Sequence, residues 1–314
     1  MDLRQMRAFV ALADNLHFGR AAESLGVSQP ALSQLLSKLE AEMGAELVVR
    51  TSREVSLSPV GELFLEGCRR TLSEALRAEE IVRDAPLGIN AHLVIGTLGA
   101  GANGPLPEMI SGFRATAHGL VVELHHHSNS ATLEREILAG SLDLGVVRSI
   151  SNEQLVASRR LLDEQFVVYL ADTHPLAARQ FVRLHELAAE DFILWPRYHG
   201  PSYYDLIISG CQRAGFTPRI TGYGTSLESQ LALVAAGIGI TLQAESNSSI
   251  IRAGVRCIPL AADLDATLWL AYRRWHRPPI VDRFLADSPT VEQRIHQWGS
   301  HASTQGARFD PPSQ

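Results

Sequence analysis

The sequence predicts an α/β protein preceded by a small all-α-type winged helix-turn-helix, with one long helix between the two modules. Three observations predict it. Apolar residues in the first 43 positions recur at helical spacing around a glycine turn, a second apolar stripe runs from Pro59 to about Arg83, and beyond residue 91 strand-like and helical runs alternate. A chain of 314 residues is long enough for two or three domains, each with its own core.

Met6, Phe9, Val10 and Ala13 set a first helix over residues 4–14, and a second is expected from Phe18 to Leu25. Gly26 supplies the tight turn, Ser28 can cap the next helix, and Pro30 falls in its first turn, where a missing N–H costs little. This third helix is expected to reach Met43. Leu32, Leu35, Leu36, Leu39 and Met43 share one stripe, which turns Pro30, Ser33, Gln34, Ser37 and Lys38 outward. Two helices about a glycine turn, the second presenting small polar side chains, is the pattern of a helix-turn-helix DNA reader. The run ELVVRTSREVSLS reads as two short strands with Thr51 to Glu54 at the turn, a wing.

In the long helix, Leu65, Cys68, Leu72, Ala75 and Val82 recur at steps of three and four, which suits packing against a partner helix and predicts a dimer; the alternative is burial on the same chain. Pro86, Gly88 and Asn90 read as a hinge. Then LVIGT, a helix near 105–117, LVVEL, a helix near 131–139 and LDLGVV predict a parallel sheet. A second alternation runs through FVVYLA, FILW, a helix near 202–214, TPRITGY, a helix near 227–236 and IGITL. TLWLAYR and a final helix near 280–298 return the chain to the first lobe. The expected divisions are 1–60, a linker helix 61–84, a hinge 85–90, a first lobe of 91–161 with 267–298, a second lobe 162–266, and a disordered tail 299–314.

Hydrophobic residues at 46% and charged residues at 20% exclude wholesale disorder. No run approaches the ~20 apolar residues of a membrane span, and the N-terminus lacks a signal-peptide pattern, so a cytoplasmic location is expected. Cys68, Cys211 and Cys257 are widely spaced and match no metal motif. The net charge of −6 opposes indiscriminate nucleic-acid binding. Up to residue 61, Arg4, Arg7, Arg20, Lys38, Arg50 and Arg53 face Asp2, Asp14, Glu23, Glu40, Glu42, Glu46 and Glu54, so only the distribution of charge favours DNA, with Arg20, Lys38, Arg50 and Arg53 ringing the third helix.

GAGANG, Gly99 to Gly104, follows a strand, precedes a helix and lies 19 residues before Glu123, which matches the dinucleotide fingerprint and makes an NAD-dependent oxidoreductase the alternative. Pro105 and Pro107 oppose it, because a helix beginning inside the glycine motif would carry Pro107 in its interior. The better reading is a loop that brings backbone N–H groups to a pocket. Ser128 to Ser130, Gly200 to Ser202, and Thr225 with Ser226 stand before three further helices, and helix starts gathered at the ends of parallel strands favour an anion, a carboxylate above all. Each is otherwise simply a cap. His125, His126 and His127 alternate faces on a strand, so a structural or solvated role is expected rather than a metal. No hydrolase elbow, zinc-protease helix or P-loop occurs, so no catalytic residue and no cofactor is assigned.

The stretch LRQMRAFVALADNLHFGRAAESLGVSQPALSQLLSKLEAEMGAELVVR, followed by LSPVG, resembles the LysR-type transcriptional regulators, and GSLDLGVVR, HPLA, AGFTP and LVAAGIGITL extend the resemblance to about residue 298. It implies a winged helix-turn-helix, a dimerising linker helix and a two-lobed, periplasmic-binding-protein-like effector domain. The implied partners are a double-stranded DNA operator, other copies of the chain in a homodimer or homotetramer, and RNA polymerase. The candidate DNA-contacting residues are Arg20, Ser28, Gln29, Pro30, Ala31, Ser33, Gln34, Lys38, Arg50 and Arg53. Among them Gln34 suits adenine, Ser33 either base type, Pro30 a thymine methyl, and Ser28 with the arginines the phosphates.

LHFGRAAE, LDLGVVR and WPRYHGPSYYDLIISGCQRAGFTP look most like the subgroup that controls aromatic-compound catabolism through benzoate, muconate or chlorinated relatives. That resemblance places a small carboxylate effector at Gly99, Ala100, Gly101, Ser128, Asn129, Ser130, Pro201, Ser202 and Tyr203, and Arg148 and Ser226, the latter at a helix start, complete the candidate effector residues. Ala100 stands where the subgroup often has a hydroxyl, and Gln34 where Arg is common.

Overall fold

The computed structural model describes residues 1–50, 55–84, 91–262, 264 and 266–288. It divides into two compact units, Met1–Ala91 with Arg135–Leu142, and the remainder. The wing tip with Arg53, the hinge 85–90 and everything after residue 288 lie outside the described residues.

The first unit opens with α1 (Leu3–Asn15), α2 (Phe18–Ser24) and α3 (Gln29–Met43). Asp2 and Gln5 close a capping box on α1, and Ser28 caps α3 by accepting from the Ala31 amide. Gly26 takes φ +65°, the left-handed turn that lets α3 leave α2 sharply. Phe9, Leu12, Leu32, Leu36 and Leu39 are fully buried between the helices. Each such side chain contributes about 1.5–3 kcal/mol of transfer free energy. Strands β1 (Val48–Arg50) and β2 (Val55–Leu57) pair antiparallel, Val48 opposite Leu57. The Glu40 carboxylate sets where the wing begins, since it accepts from the amides of Leu47 (2.9 Å) and Val48 (3.1 Å).

The linker helix α4 (Pro59–Asp84) starts where Ser58 Oγ accepts from the Gly61 amide and donates to the Glu46 carbonyl. Part of its expected partner stripe is spent on its own chain. Cys68 is 1% exposed, and Leu65 and Leu72 pack against the helix-turn-helix core, with Phe64 5.4 Å from Phe9. Among the described residues, the large apolar side chains α4 leaves uncovered are Val60, Leu63, Leu76 and Val82. A three-and-four spacing marks an apolar face without saying which neighbour covers it.

In the second unit, β3 (Ala91–Thr97), β4 (Leu120–His126), β5 (Leu144–Val147), β6 (Val156–Leu162) and β13 (Leu268–Arg273) form one sheet in the order β4-β3-β5-β13-β6. The expected parallel sheet is mixed: β3 and β5 are parallel, but β13 runs antiparallel to both β5 and β6. The reason is connectivity, because β13 re-enters from the second lobe with reversed direction. Helices α5 (Gly99–Asn103), α6 (Leu106–Thr116) and α10 (Pro279–Asp287) belong to this lobe, and Phe113 of α6 meets Phe284 of α10 edge-on at 5.2 Å. The second lobe holds β7 (Phe166–Ala171), β8 (Val182–Arg183), β11 (Thr241–Ala244) and β12 (Val255–Ala261) in the order β11-β7-β12-β8, beside the parallel pair β9 (Asp191–Leu194) and β10 (Arg219–Tyr223). Phe166, Phe192, Ile207 and Leu242 form its core, with α8 (Pro201–Arg213) and α9 (Leu227–Ala235) supplying helical cover. Burial raises the thiol pKa of Cys68, Cys211 and Cys257 to about 11, which fits unreactive core residues. No helix of the described residues is long and apolar enough to cross a membrane.

Candidate functional site

On the first unit, α3 presents Gln29, Pro30, Gln34 and Lys38 to solvent, while Ala31 and Ser33 are half-buried. Ser28 is exposed but its hydroxyl is the helix cap, 3.4 Å from the Ala31 amide. The basic candidates are tethered rather than loose. Arg20 donates to the Asn15 carbonyl at 2.8 Å, and Arg50 pairs with Glu40 at 3.3 Å while its guanidinium sits 4.8 Å from the Phe18 ring centroid. Lys38 reaches Glu42 at 3.9 Å along the helix, an exposed pair worth only about 0.3–0.5 kcal/mol, so a phosphate can take its place.

The second unit holds a partly open cavity of about 330 Å³, near the lower end of small-molecule sites. Six of the expected effector residues line it: Gly99, Ala100, Ser128, Arg148, Tyr203 and Ser226. The other five do not. Gly101 is a packing position whose added Cβ would stand 2.3 Å from Thr97 Oγ1, and Asn129 is a cap that accepts from the Thr132 amide at 2.8 Å. Ser130 is buried and accepts from the Arg148 amide at 3.0 Å, and Pro201 and Ser202 are exposed on the first turn of α8.

Arg148 is the cationic centre of the wall, and its charge is already answered. Its guanidinium bonds the nearly buried Glu164 carboxylate at 3.0 Å and lies 5.2 Å from the Tyr203 ring centroid. Glu164 also accepts from the Ser246 amide at 2.9 Å and from the Ser246 hydroxyl. The helix starts differ in what they offer. At α9, Ser226 accepts from the Ser229 amide, and Glu228 holds its own backbone N–H and the Ser226 hydroxyl, which keep its carboxyl below the usual range. At α8 no side chain caps the helix and Pro201 has no N–H, so what this helix start brings to the cavity wall is Gly200 and Tyr203. Burial pushes the Tyr203 hydroxyl well up, so it stays protonated.

GAGANG is helix rather than open loop: Gly99–Asn103 forms α5, and the next helix begins at Leu106 with Pro105 before it. An added Cβ at Gly104 would stand 2.4 Å from Ser246 Oγ and 2.6 Å from the Ala100 carbonyl. These glycines admit protein atoms where a dinucleotide fold admits pyrophosphate. Glu123, the acidic residue of that fingerprint, is already bonded to His125 at 2.7 Å. The dinucleotide alternative is not favoured.

Sequence reasoning missed several cavity residues: Asn103, Trp195, Glu228, Gln243 and Asn247, and with them His126 and His127, expected to be structural or solvated. Two carried a signal: Asn103 stands inside GAGANG, and Gln243 is a polar residue in an apolar strand.

A winged helix-turn-helix, a long helix and a two-lobed α/β domain with a cavity define a DNA-binding transcriptional regulator. Residues 3–62 match the family model "Bacterial regulatory helix-turn-helix protein, lysR family", and residues 88–302 match the LysR substrate binding domain. The chain belongs to the LysR family of transcriptional regulators. It is 31% identical over 298 residues to the HTH-type transcriptional regulator AlsR of Bacillus subtilis, covering 95% of this chain and 98% of AlsR. To TfdS of Cupriavidus pinatubonensis it is 32% identical over 286 residues, 91% and 97% of the two chains. Among solved structures it is similar to CbnR, a LysR family transcriptional regulator (TM-score 0.68, 25% identity, 91% and 98% covered), also solved full-length with its target DNA (0.68, 26%, 92% and 99%). Full-length BenM is similar at TM-score 0.58 and 25% identity over the whole of both chains.

Proposed function

We propose that this regulator is switched by a small carboxylate from aromatic-compound degradation, bound in the 330 Å³ cavity. The observation that carries the reading is the uncapped start of α8, with Gly200 and Tyr203 on the cavity wall, beside the apolar side chains of Leu98, Ala100, Trp195 and Leu227. Amide dipoles hold a carboxylate and flat apolar side chains hold a ring. A ligand that favours the closed lobes shifts the protein toward them by its differential affinity. Dimer or tetramer assembly, through the uncovered Leu63, Leu76 and Val82 of α4, and contact with RNA polymerase belong to the same reading.

The test is a thermal-shift screen of the full chain against benzoate- and muconate-like acids, with nicotinamide dinucleotides included. A ligand binding only the folded state at a hundred times its Kd stabilises by about 2.7 kcal/mol. Stabilisation by the acids alone is expected; stabilisation by a dinucleotide alone would overturn the reading.

For the operator face, we propose that Ser33 and Gln34 touch base edges and that Arg20, Lys38 and Arg50 hold phosphates. Gln34→Ala is expected to cost about 1–3 kcal/mol of discrimination at one base pair, whereas Lys38→Ala should weaken binding to operator and random duplex alike and flatten its salt dependence. Competition binding on operator and random DNA measures both. Equal discrimination by Ser33→Ala/Gln34→Ala and wild type would remove base reading from this face.

A further inference from the structure

Along the cavity wall and into the core behind it runs a chain of side-chain amides that the effector reading does not use. Gln230 donates from Nε2 to the Gly224 carbonyl at 3.2 Å, and Gln243 donates to Gln230 Oε1 at 2.7 Å. Asn247 donates to Gln243 Oε1 at 3.1 Å, and Asn103 donates to Asn247 Oδ1 at 2.9 Å. Gln230, Gln243 and Asn247 are buried, and Asn103, Gln243 and Asn247 line the cavity. The Tyr169 hydroxyl donates to the Asn247 carbonyl and fixes that residue from below.

The two ends of an amide side chain have nearly the same shape, so its orientation is set by its partners. Here the partners leave no choice. The Gly224 carbonyl only accepts, so Gln230 must offer it Nε2 and turn Oε1 to Gln243. Gln243 must then offer Nε2 and turn Oε1 to Asn247, which in turn directs Oδ1 to Asn103. Asn103 must spend one Nδ2 hydrogen on Asn247, so the end of the chain, a residue of the cavity wall, keeps its Oδ1 as an acceptor and the second Nδ2 hydrogen as a donor, the two partners a hydroxyl can meet at once. Reversing any one amide would oppose two acceptors or two donors in a buried setting, at about 1–3 kcal/mol for each unsatisfied group. The one acidic side chain among the described residues of the wall, Glu228, is likewise an acceptor, and it repels a second carboxylate.

Resting on the carboxylate reading above, we propose that the effector is a monocarboxylate carrying a hydrogen-bond donor, a hydroxyl, which Asn103 Oδ1 recognises. Asn103 is thus a specificity-determining residue. A wall built to accept a hydroxyl rejects the analogue lacking it, because the bound ligand then covers the wall acceptor without giving it a partner. Plain acids and dicarboxylates should be the poorer ligands.

Calorimetric titration of the full chain with the three hydroxybenzoates and the three matching fluorobenzoates tests this, since fluorine is of similar size and donates nothing. One hydroxy isomer is expected to bind at least about tenfold tighter than its fluoro partner, and Asn103→Ala should collapse that ratio to about one while binding of the fluoro acid persists. The matching aminobenzoate is the control for the source of the donor: binding equal to the hydroxy acid supports donor reading, and binding tighter than it would overturn the choice of hydroxyl. Equal affinities for hydroxy and fluoro acids in the wild type, a reading independent of whether any variant folds, would overturn the proposal while leaving the effector reading intact. Survival of the preference in Asn103→Ala would overturn the role of Asn103. Failure of every acid to bind would instead overturn the effector reading itself.

Discussion

Glu164→Leu is expected to destabilise the α/β unit by about 3–5 kcal/mol, because removing one partner of a buried ion pair leaves the other charge uncompensated. The Glu164 side chain is 1% exposed and that of Arg148 12%. Arg148 would keep its bond to the Ala266 carbonyl at 2.5 Å and its place over Tyr203 but lose the only carboxylate among the described residues that bonds it. The amide and hydroxyl of Ser246 would lose their acceptor at the same time. Arg148→Met/Glu164→Leu is expected to recover most of the loss, since a buried pair contributes little beyond well-packed apolar side chains of similar volume. Urea unfolding of wild type, both single variants and the double variant measures the cycle. A single variant within about 1 kcal/mol of wild type, or a double variant no more stable than Glu164→Leu, would refute it.

Gly61→Ala should damage the helix-turn-helix, whereas Gly67→Ala, six residues along the same helix, should not. A Cβ at Gly61 would stand 2.1 Å from the Leu47 carbonyl oxygen, a backbone atom that anchors the Ser58 amide at 3.0 Å. Something must move, and the first casualty is the seating of α4 beside the wing strand. A cost of about 1–3 kcal/mol is expected from such overpacking, together with weaker operator binding through a displaced wing. At Gly67 an added Cβ meets nothing within 4 Å, so alanine gains about 0.8–1.0 kcal/mol of helix propensity. Thermal melts of both variants decide; equal melting temperatures would show that α4 slides freely at Leu47.

Much of the fold was legible because its signals are local. The apolar spacing of Met6, Phe9, Leu32, Leu36 and Leu39, the turn at Gly26 and the cap at Ser28 act within a few residues, and the helix-turn-helix follows from them. Direction within the sheet was not legible. LWLAYR announces a strand, but only the path of the chain through the second lobe makes β13 antiparallel to β5. Strand β6 escaped notice because Arg159 and Arg160 interrupt its apolar run, although its burial alternates as a half-exposed strand should.

The site divides in the same way. The sequence by itself determined the helix starts, the short α3 face with Gln34, and the presence of Arg148 after an apolar strand, since caps and periodicity are properties of neighbouring residues. Tertiary structure alone decided which of those groups face the cavity. It turned Ser130 toward the Arg148 amide and filled the Gly104 position with Ser246. It also joined Asn103 to Asn247, 144 residues away, in one amide chain. The physical reason is range: a cap or a turn is fixed by bonds reaching three or four residues, whereas the sign of a charge and the facing of an amide in a buried wall depend on partners that only folding brings within about 3 Å.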